Sequence, residues 1–249
     1  MTDPAIPKIL ADALAYNAVD VDIICRRLKI PWLTLDLTAP VLAQSYLEDL
    51  YLRSLDWRET WGFQDLENNA YQVKGWNGQL LFGPRDLPVF LQDAHTRDGG
   101  RYAWYDEDSQ VRNLRSQTEC AWRLDSGDPI RTWVEDLVGD PDLNMVNTYW
   151  LPPGGFVLPH RDYTLDENGL NKIYLAVDWA PGNRFGMYGC GDLPIEQGQV
   201  LLINNYTLPH WVYNGSDRKR LVLSMSANLK SPTLERLIVQ AYRRTFGMV

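Results

Sequence analysis

The sequence has few of the residues that mark a secreted or a nucleic-acid-binding protein. Only three cysteines occur among 249 residues, Cys25, Cys120 and Cys190, and they are widely separated with no C-x-x-C spacing. Neither a disulfide framework nor a thiolate zinc site is therefore expected. Basic side chains number 24 against 32 acidic ones, which gives a formal charge of -8. Because such a field repels phosphate, we expect no nucleic-acid partner.

Long hydrophobic runs are also missing. No apolar stretch approaches the roughly 20 residues that cross a bilayer. The first residues, Met1-Thr2-Asp3-Pro4, are acidic where a signal peptide is basic. We therefore expect a cytoplasmic protein with reduced thiols and no membrane partner. The sequence does not predict an oligomeric state.

The residue pattern of the sequence changes near residue 140. The length and the 45% hydrophobic content permit one large domain. We expect residues 1–140 to be a helical and irregular flanking region of that domain, and 141–249 to be its core. Helices are predicted at 5–15 and 40–55, and the second would bury a stripe formed by Val41, Leu42, Tyr46, Leu47 and Leu50. Residues 62–135 are dense in Gly, Asn, Asp and Trp, which favours short strands and long loops.

Beyond Asn144, short apolar segments alternate with turn residues. Strands are predicted at 144–151, 155–159, 171–179, 184–189, 199–205, 209–213 and 219–227. Within 171–179, Ile173, Leu175, Val177 and Trp179 alternate with polar or small residues, which predicts a strand with one buried face. A helix is predicted from Pro232 to Tyr242. Seven short strands of this kind indicate a mainly β fold, a sandwich or a barrel, with flanking helices.

The chain has only three histidines, so their positions are informative. His160 lies in Leu158-Pro159-His160-Arg161-Asp162 at the end of a predicted strand. In extended backbone, residues 160 and 162 project from the same face, so an imidazole and a carboxylate would converge on one ion. The bare pair is weak evidence, because this composition yields about 0.4 His-x-Asp/Glu pairs by chance. His95 lies in a polar loop and is predicted to be solvated.

A second histidine and an arginine follow in order. His210 comes about fifty residues later in Pro209-His210-Trp211-Val212-Tyr213-Asn214, and Arg220 lies ten positions beyond it, before an apolar strand. Two imidazoles and one carboxylate form the facial triad that suits Fe(II) with open positions. We therefore predict that His160, Asp162 and His210 are the metal ligands and the catalytic centre.

Taken together, these residues resemble the Fe(II)/2-oxoglutarate-dependent dioxygenases. The spacing of His210, Val212 and Asn214, together with Arg220-Leu-Val-Leu-Ser, is most similar to the aspartyl/asparaginyl β-hydroxylase branch, and prolyl hydroxylases are the second choice. The resemblance covers roughly residues 144–228. It implies a double-stranded β-helix, the cupin-like jelly roll, with Fe(II), 2-oxoglutarate as cosubstrate, O2, and ascorbate as a reductant.

The resemblance also implies a reaction. An unactivated carbon of an amino-acid or peptidyl side chain, of aspartyl/asparaginyl or prolyl type, would be hydroxylated with release of succinate and CO2. 2-Oxoglutarate would chelate the metal, and Arg220 would hold its distal carboxylate, for which a planar guanidinium fork is suited. Some members of the aspartyl hydroxylase branch lack the carboxylate ligand that Asp162 provides here, so a peptidyl-aspartate substrate does not follow.

Several assignments stay open in the sequence. Arg218 shares a face with Arg220 in an extended segment and competes for the cosubstrate. Further candidate cosubstrate contacts, which core or turn roles explain equally, are Tyr149, Trp150, Asn147, Asn204 and Asn205. Three other classes of protein compete: a cupin-like metal-binding protein without 2-oxoglutarate turnover, a metal-free jelly-roll interaction module, and a metal-dependent enzyme that does not use 2-oxoglutarate.

Overall fold

The computed structural model describes residues 24, 30–54, 73–85, 105–106, 111–112, 119–139, 143–160, 172–205, 208–227, 229 and 231–247. Within these ranges the protein is mainly β with a few α-helices. The helix predicted at 5–15 lies outside the described residues, as do Asp162, His95 and Cys25. Cys120 and Cys190 are thiols.

The helices in this part of the chain are α1 (Gln44–Arg53), α2 (Pro129–Val138) and α3 (Pro232–Thr245). Helix α1 confirms the helix predicted at 40–55 but begins later, because Ala43 is in an extended conformation. Val41 therefore lies before the helix and is 97% exposed, so its place in the buried stripe was wrong. Helix α2 was not predicted. It begins after Asp128, whose side chain accepts hydrogen bonds from the amides of Ile130 and Arg131.

The strands of the described chain are β1 (Trp32–Leu35), β2 (Val73–Lys74), β3 (Asn77–Pro84), β4 (Tyr105–Asp106), β5 (Val111–Arg112), β6 (Cys120–Trp122), β7 (Leu143–Leu151), β8 (Phe156–His160), β9 (Lys172–Asp178), β10 (Asn183–Met187), β11 (Gly191–Asp192), β12 (Val200–Ile203), β13 (His210–Asn214) and β14 (Arg220–Ala227). Each of the seven strands predicted after residue 143 is present with ends shifted by no more than two residues. Strand β11 was missed, since Gly-Asp has no apolar pattern.

Strands β7 to β14 form a jelly roll. They pair antiparallel as β7 with β14, β8 with β13, β9 with β12 and β10 with β11, which is one long hairpin ribbon. Further pairing of β14 with β9 and of β13 with β10 rolls that ribbon into two facing sheets, with orders β12-β9-β14-β7 and β11-β10-β13-β8. This topology confirms the predicted double-stranded β-helix. Strands β1, β3 and β6 from the flanking region extend the first sheet, and β2 extends the second.

Two hydrophobic cores lie on opposite sides of the larger sheet. The outer core packs one face of that sheet, through residues such as Leu221 and Leu223, against side chains of the helices such as Ile130 and Ile238. The barrel interior lies between the two sheets and contains residues such as Val222. Because alternate residues of one strand enter different cores, each central strand of the larger sheet is buried on both faces.

Strand β9 shows the consequence of this double burial. Ile173 and Leu175 enter the outer core as predicted, but Tyr174 and Ala176 are also buried and face the barrel interior. The expectation of one buried face was therefore wrong. Trp179 lies in the barrel interior and not with Ile173, because the pairing of β9 with β14 shifts register between Leu221 and Val222.

The smaller sheet depends on a close approach at Gly186. A methyl group on this residue would lie inside van der Waals contact with the indole of Trp211 on the neighbouring strand. We expect Gly186→Ala to lower the free energy of unfolding by about 1–3 kcal/mol, the usual cost of overpacking. Urea denaturation followed by tryptophan fluorescence measures the change. Gly127→Ala is the matched control, because a methyl group there has no atom within 4 Å; equal losses in both variants would contradict the prediction.

None of the helices in the described ranges is long and apolar enough to cross a membrane. Exposed large apolar side chains of the described residues include Tyr188 and Leu52.

Candidate metal centre and cosubstrate pocket

The two histidines singled out in the sequence lie side by side. Strand β8 ends at His160 and strand β13 begins at His210, and the two residues are direct cross-strand partners although fifty positions separate them in the chain. Their ring centroids are 4.3 Å apart with an angle of 51° between the planes. His210 is buried, and His160 is partly exposed. The jelly-roll pairing thus places two imidazoles where both can reach one ion.

The ring of His160 is held in an orientation suited to metal binding. Its Nδ1 lies 2.8 Å from the carbonyl oxygen of Leu158. A carbonyl only accepts hydrogen bonds, so Nδ1 is the donor and Nε2 is the nitrogen that would bind a metal. Histidines that bind metals usually fix their tautomer by such a bond from the other ring nitrogen.

Asp162, the third predicted ligand, lies outside the described residues. Among the residues that the structure does describe, no group of three or more potential metal ligands occurs. The assignment of His160, Asp162 and His210 as a ligand triad therefore stays a prediction, and the structure contributes the pairing of the two histidines.

Polar side chains face the histidine pair from the opposite sheet. Asn147 lies five residues before the connection 152–155 and His160 five residues after it, so the two lie at the same level in opposite sheets. Likewise His210 lies five residues before the connection 215–219, and Ser224 five residues after it. Asn147 and Ser224 are themselves cross-strand partners.

These two side chains are buried, and no described residue gives them a hydrogen bond. Asn147 is 0% exposed, and neither polar atom of its amide has a hydrogen-bond partner in the described part of the chain; the hydroxyl of Ser224 has none there either. Buried polar atoms cost free energy unless they are hydrogen-bonded. Their position opposite the imidazoles marks a place where a polar ligand would satisfy them.

Arg220 is a buried charged residue of the barrel interior. It is 3% exposed at the start of β14, on the same face as Val222 and Ser224. Its Nη2 donates a hydrogen bond to the hydroxyl of Tyr174, and its guanidinium lies over the ring of Trp179, 4.6 Å from the centroid. Its Nε has no partner, and it forms no ion pair with any residue in the described part of the chain. Burial lowers the pKa of Arg220, since the cation has lost water without gaining an anion.

Tyr174 connects this cation to the histidines. Its ring meets Phe185 edge to face at 5.4 Å, and Phe185 stacks on His210 at 5.5 Å with only 6° between the planes. Burial raises the pKa of Tyr174 to about 12, although the charge of Arg220 opposes the rise. Tyr174 is therefore a neutral phenol at physiological pH. Its oxygen accepts from Arg220, and its own proton remains able to donate.

Arg218, the alternative candidate for holding the cosubstrate, forms an ion pair with Asp178. Its Nη2 lies 2.9 Å from Oδ1 of Asp178, and the side chain is largely exposed. Lys219 lies over the ring of Tyr51, 3.9 Å from its centroid. Of the three consecutive basic residues, only Arg220 enters the barrel.

Asn214 explains the spacing that the sequence displayed after His210. It is buried at the end of β13, where Nδ2 donates to the carbonyls of Leu151 and Arg218, both at 2.8 Å. Its Oδ1 accepts from the amide and hydroxyl of Ser216. Asn214 therefore fixes the connection that leads into β14. One of its contacts, the carbonyl of Arg218, lies two residues before Arg220.

We expect Asn214→Ala to lower the free energy of unfolding by about 2 kcal/mol, because buried carbonyls and an amide lose their partners. The connection that positions Arg220 would also loosen. Ser216→Ala is the control, since it removes one hydroxyl from the same network at a more exposed place. Chemical denaturation measures both, and a loss in Asn214→Ala no larger than that in Ser216→Ala would contradict the role assigned to Asn214.

The structure places two other predicted cosubstrate contacts, Tyr149 and Trp150, on opposite faces of the larger sheet. Tyr149 faces the barrel interior, where it stacks on Trp76 at 4.9 Å. Trp150 enters the outer core and meets Tyr51 edge to face at 5.1 Å. Its assignment to the pocket is therefore corrected: neighbouring residues of a strand point to opposite faces. Asn205 is buried just after β12.

Sequence reasoning missed Tyr174, Phe185 and Ser224. Tyr174 counted only among the polar or small residues that alternate with Ile173 and Leu175, and Phe185 only as a residue of the strand predicted at 184–189. The available signal was the register itself: once β14 is paired with β9, Ser224 is the direct partner of Tyr174 and shares its face. That register is set by pairing between strands that are far apart in the chain, so a local sequence pattern does not predict it.

Comparisons with known proteins show distant likenesses. No family model and no curated protein matches the sequence. The structure is similar to a prolyl-4-hydroxylase from Pseudomonas putida, with 13% identity, 90% of this chain and 100% of that one covered, and a TM-score of 0.38. It is also similar to a 2OG-Fe(II) oxygenase family protein from Burkholderia pseudomallei, with 11% identity, 76% and 82% covered, and a TM-score of 0.36. A cupin domain from Bordetella pertussis matches 33% of this chain and 79% of its own, with 16% identity and a TM-score of 0.27. None of these three is described as an aspartyl/asparaginyl hydroxylase, so that narrower resemblance stays a prediction.

Proposed function

We propose that this protein is an Fe(II)- and 2-oxoglutarate-dependent oxygenase that hydroxylates an unactivated carbon of an amino-acid or peptidyl side chain. The observation that carries the proposal is the contact path from buried Arg220 through Tyr174 and Phe185 to the paired rings of His210 and His160. A buried cation without a carboxylate and a pair of imidazoles are the two parts of a site for a metal-chelating dicarboxylate.

The residues present fit Fe(II). His160 and His210 offer nitrogen donors from adjacent strands, and Asp162 would add a carboxylate oxygen to complete a facial triad. The partnerless amide of Asn147 and hydroxyl of Ser224 face this place and would bind oxygen ligands of the metal. When bound, Fe(II) supplies activation of O2, coupled to decarboxylation of 2-oxoglutarate to succinate and CO2 and to oxidation of a substrate C–H bond. Ascorbate would keep the iron reduced.

The residues around Arg220 bind and orient the cosubstrate. The guanidinium donates to the distal carboxylate, and the hydroxyl of Tyr174, which accepts from Arg220, donates its own proton to the same group. The indole of Trp179 covers the guanidinium and excludes water. Exclusion of water strengthens the pairing of the two charges.

The alternative is a cupin-like metal-binding protein without 2-oxoglutarate turnover. It would use the two histidines equally well, but it gives no ligand to the buried charge of Arg220. The aspartyl/asparaginyl or prolyl character of the substrate is part of the proposal and follows from the sequence resemblance alone.

The test is formation of succinate from 2-oxoglutarate with Fe(II), ascorbate and O2, with pooled amino acids and peptides as prime substrates. We expect succinate above the protein-free background, lost on chelation with EDTA and restored by Fe(II). Stoichiometric metal without binding of 2-oxoglutarate would favour the cupin-like alternative. Absence of metal binding would favour a metal-free interaction module.

A further inference from the structure

A second pair of polar residues, Ser226 and Lys172, lies side by side on neighbouring strands, farther from Arg220 than the histidines are. This position along the strands is called the Lys172 level. Strands β14 and β9 pair Ser226 with Lys172, and β14 and β7 pair Ser226 with Met145. Ser226 and Lys172 lie next to Met225 and Ile173, which both enter the outer core. Because side chains alternate between faces, Ser226 and Lys172 face the barrel interior.

Arg220 and Lys172 lie on opposite sides of the histidine level. Arg220 lies four residues before Ser224 on β14, and Ser226 lies two residues after it, with Lys172 as its partner. At about 3.3 Å per residue, the Lys172 level is roughly 7 Å beyond the level of Ser224 and roughly 20 Å from that of Arg220. One five-carbon dicarboxylate held by Arg220 and chelated at the histidines does not extend to Lys172.

The Lys172 level also contains a buried group that is suited to an anion. Ser226 is 7% exposed, and its hydroxyl has no hydrogen-bond partner among the residues that the structure describes. A hydroxyl donor beside an ammonium group forms charge-assisted hydrogen bonds with a carboxylate. The protein as a whole carries a charge of -8, so a partly buried lysine on the inner face of the barrel differs from its general electrostatic character.

We propose that Lys172 and Ser226 form the prime-substrate subsite, and that they bind a carboxylate of the substrate. The inference rests on the proposed function and narrows it: the substrate is a free carboxylic acid, such as an amino acid or a peptide presenting a carboxylate, and not a neutral side chain in the middle of a chain. The ammonium of Lys172 and the hydroxyl of Ser226 hold this group on the side of the metal opposite the cosubstrate.

The test compares acid and amide pairs as probes: L-proline with L-prolinamide, L-asparagine with L-asparaginamide, and L-aspartate with its diamide. Dissociation constants are measured by calorimetry on anaerobic protein loaded with Fe(II) and 2-oxoglutarate. We expect at least one acid to bind about tenfold or more tightly than its amide, and Lys172→Met to remove that preference. Lys172→Arg retains the preference, and Ser226→Ala weakens acid binding less than Lys172→Met does.

Two controls separate this inference from the proposed function. Lys219→Met removes a lysine that lies over Tyr51 and should leave all constants unchanged. Lys172→Met should keep the melting temperature and the affinity for 2-oxoglutarate. Acids that bind no better than amides, or a preference that survives Lys172→Met, would overturn the subsite while the proposed function stands. A lower affinity of Lys172→Met for 2-oxoglutarate would overturn it too, and absence of 2-oxoglutarate binding in the wild type would overturn both.

Discussion

Replacement of either barrel histidine is expected to abolish Fe(II)-dependent turnover of 2-oxoglutarate. His160→Ala and His210→Ala each remove one of two imidazoles that meet at 4.3 Å, so the metal would keep at most one nitrogen donor. Changes in the surroundings of a metal ligand already cost 10–100-fold, so loss of the ligand itself should lower Fe(II) affinity by more than about 100-fold. Anaerobic metal loading followed by elemental analysis measures binding, and succinate formation measures turnover.

The chain offers a matched control for these variants. His95→Ala removes the third histidine, which the sequence places in a polar loop, and should retain both metal and activity. His210 stacks on Phe185, so thermal unfolding must show that His210→Ala is folded before its activity is interpreted. Asp162→Ala extends the test to the predicted third ligand. Full activity in either barrel-histidine variant would overturn the metal assignment.

Arg220→Met is expected to produce two opposite effects, a loss of cosubstrate binding and a gain in stability of the unliganded protein. Loss of a buried charge partner costs about 2–5 kcal/mol, so the KM for 2-oxoglutarate should rise by at least about 30-fold. The lowered pKa of Arg220 shows that burial disfavours its charged form more than Tyr174 compensates. Removal of the charge should therefore raise the free energy of unfolding by about 1 kcal/mol or more, as seen when buried ions are replaced by apolar residues.

Ligand-dependent stability distinguishes the two effects. At about 100 times its dissociation constant, 2-oxoglutarate should stabilise the wild type by about 2.7 kcal/mol and Arg220→Met hardly at all. Tyr174→Phe, which removes one donor and keeps the cation, should lie between them. Arg218→Ala is the control, because Arg218 pairs with Asp178 outside the barrel. An unchanged KM in Arg220→Met, or an increase in Arg218→Ala, would overturn the assignment of the cosubstrate cation.

The sequence by itself determined much about this protein. Period-two alternation and turn residues located seven strands of the barrel, since both signals are local. His160, Asp162, His210 and Arg220 stand out because histidine is rare in this chain and the four residues occur in the order of the family that they resemble. The same local signals failed for Val41 and for helix α2, where a capping residue, Asp128, decided the start of the helix.

Only the tertiary structure decided what surrounds the two histidines. Pairing of β8 with β13 made His160 and His210 neighbours, and pairing of β14 with β9 and β7 made Ser224 a neighbour of both Tyr174 and Asn147. The choice between Tyr149 and Trp150 also depended on which face of the sheet meets the second sheet and which meets the helices. The sequence predicts that neighbouring side chains of a strand point to opposite faces. It does not predict which face is the barrel interior, because that depends on distant chain segments that pack against each face.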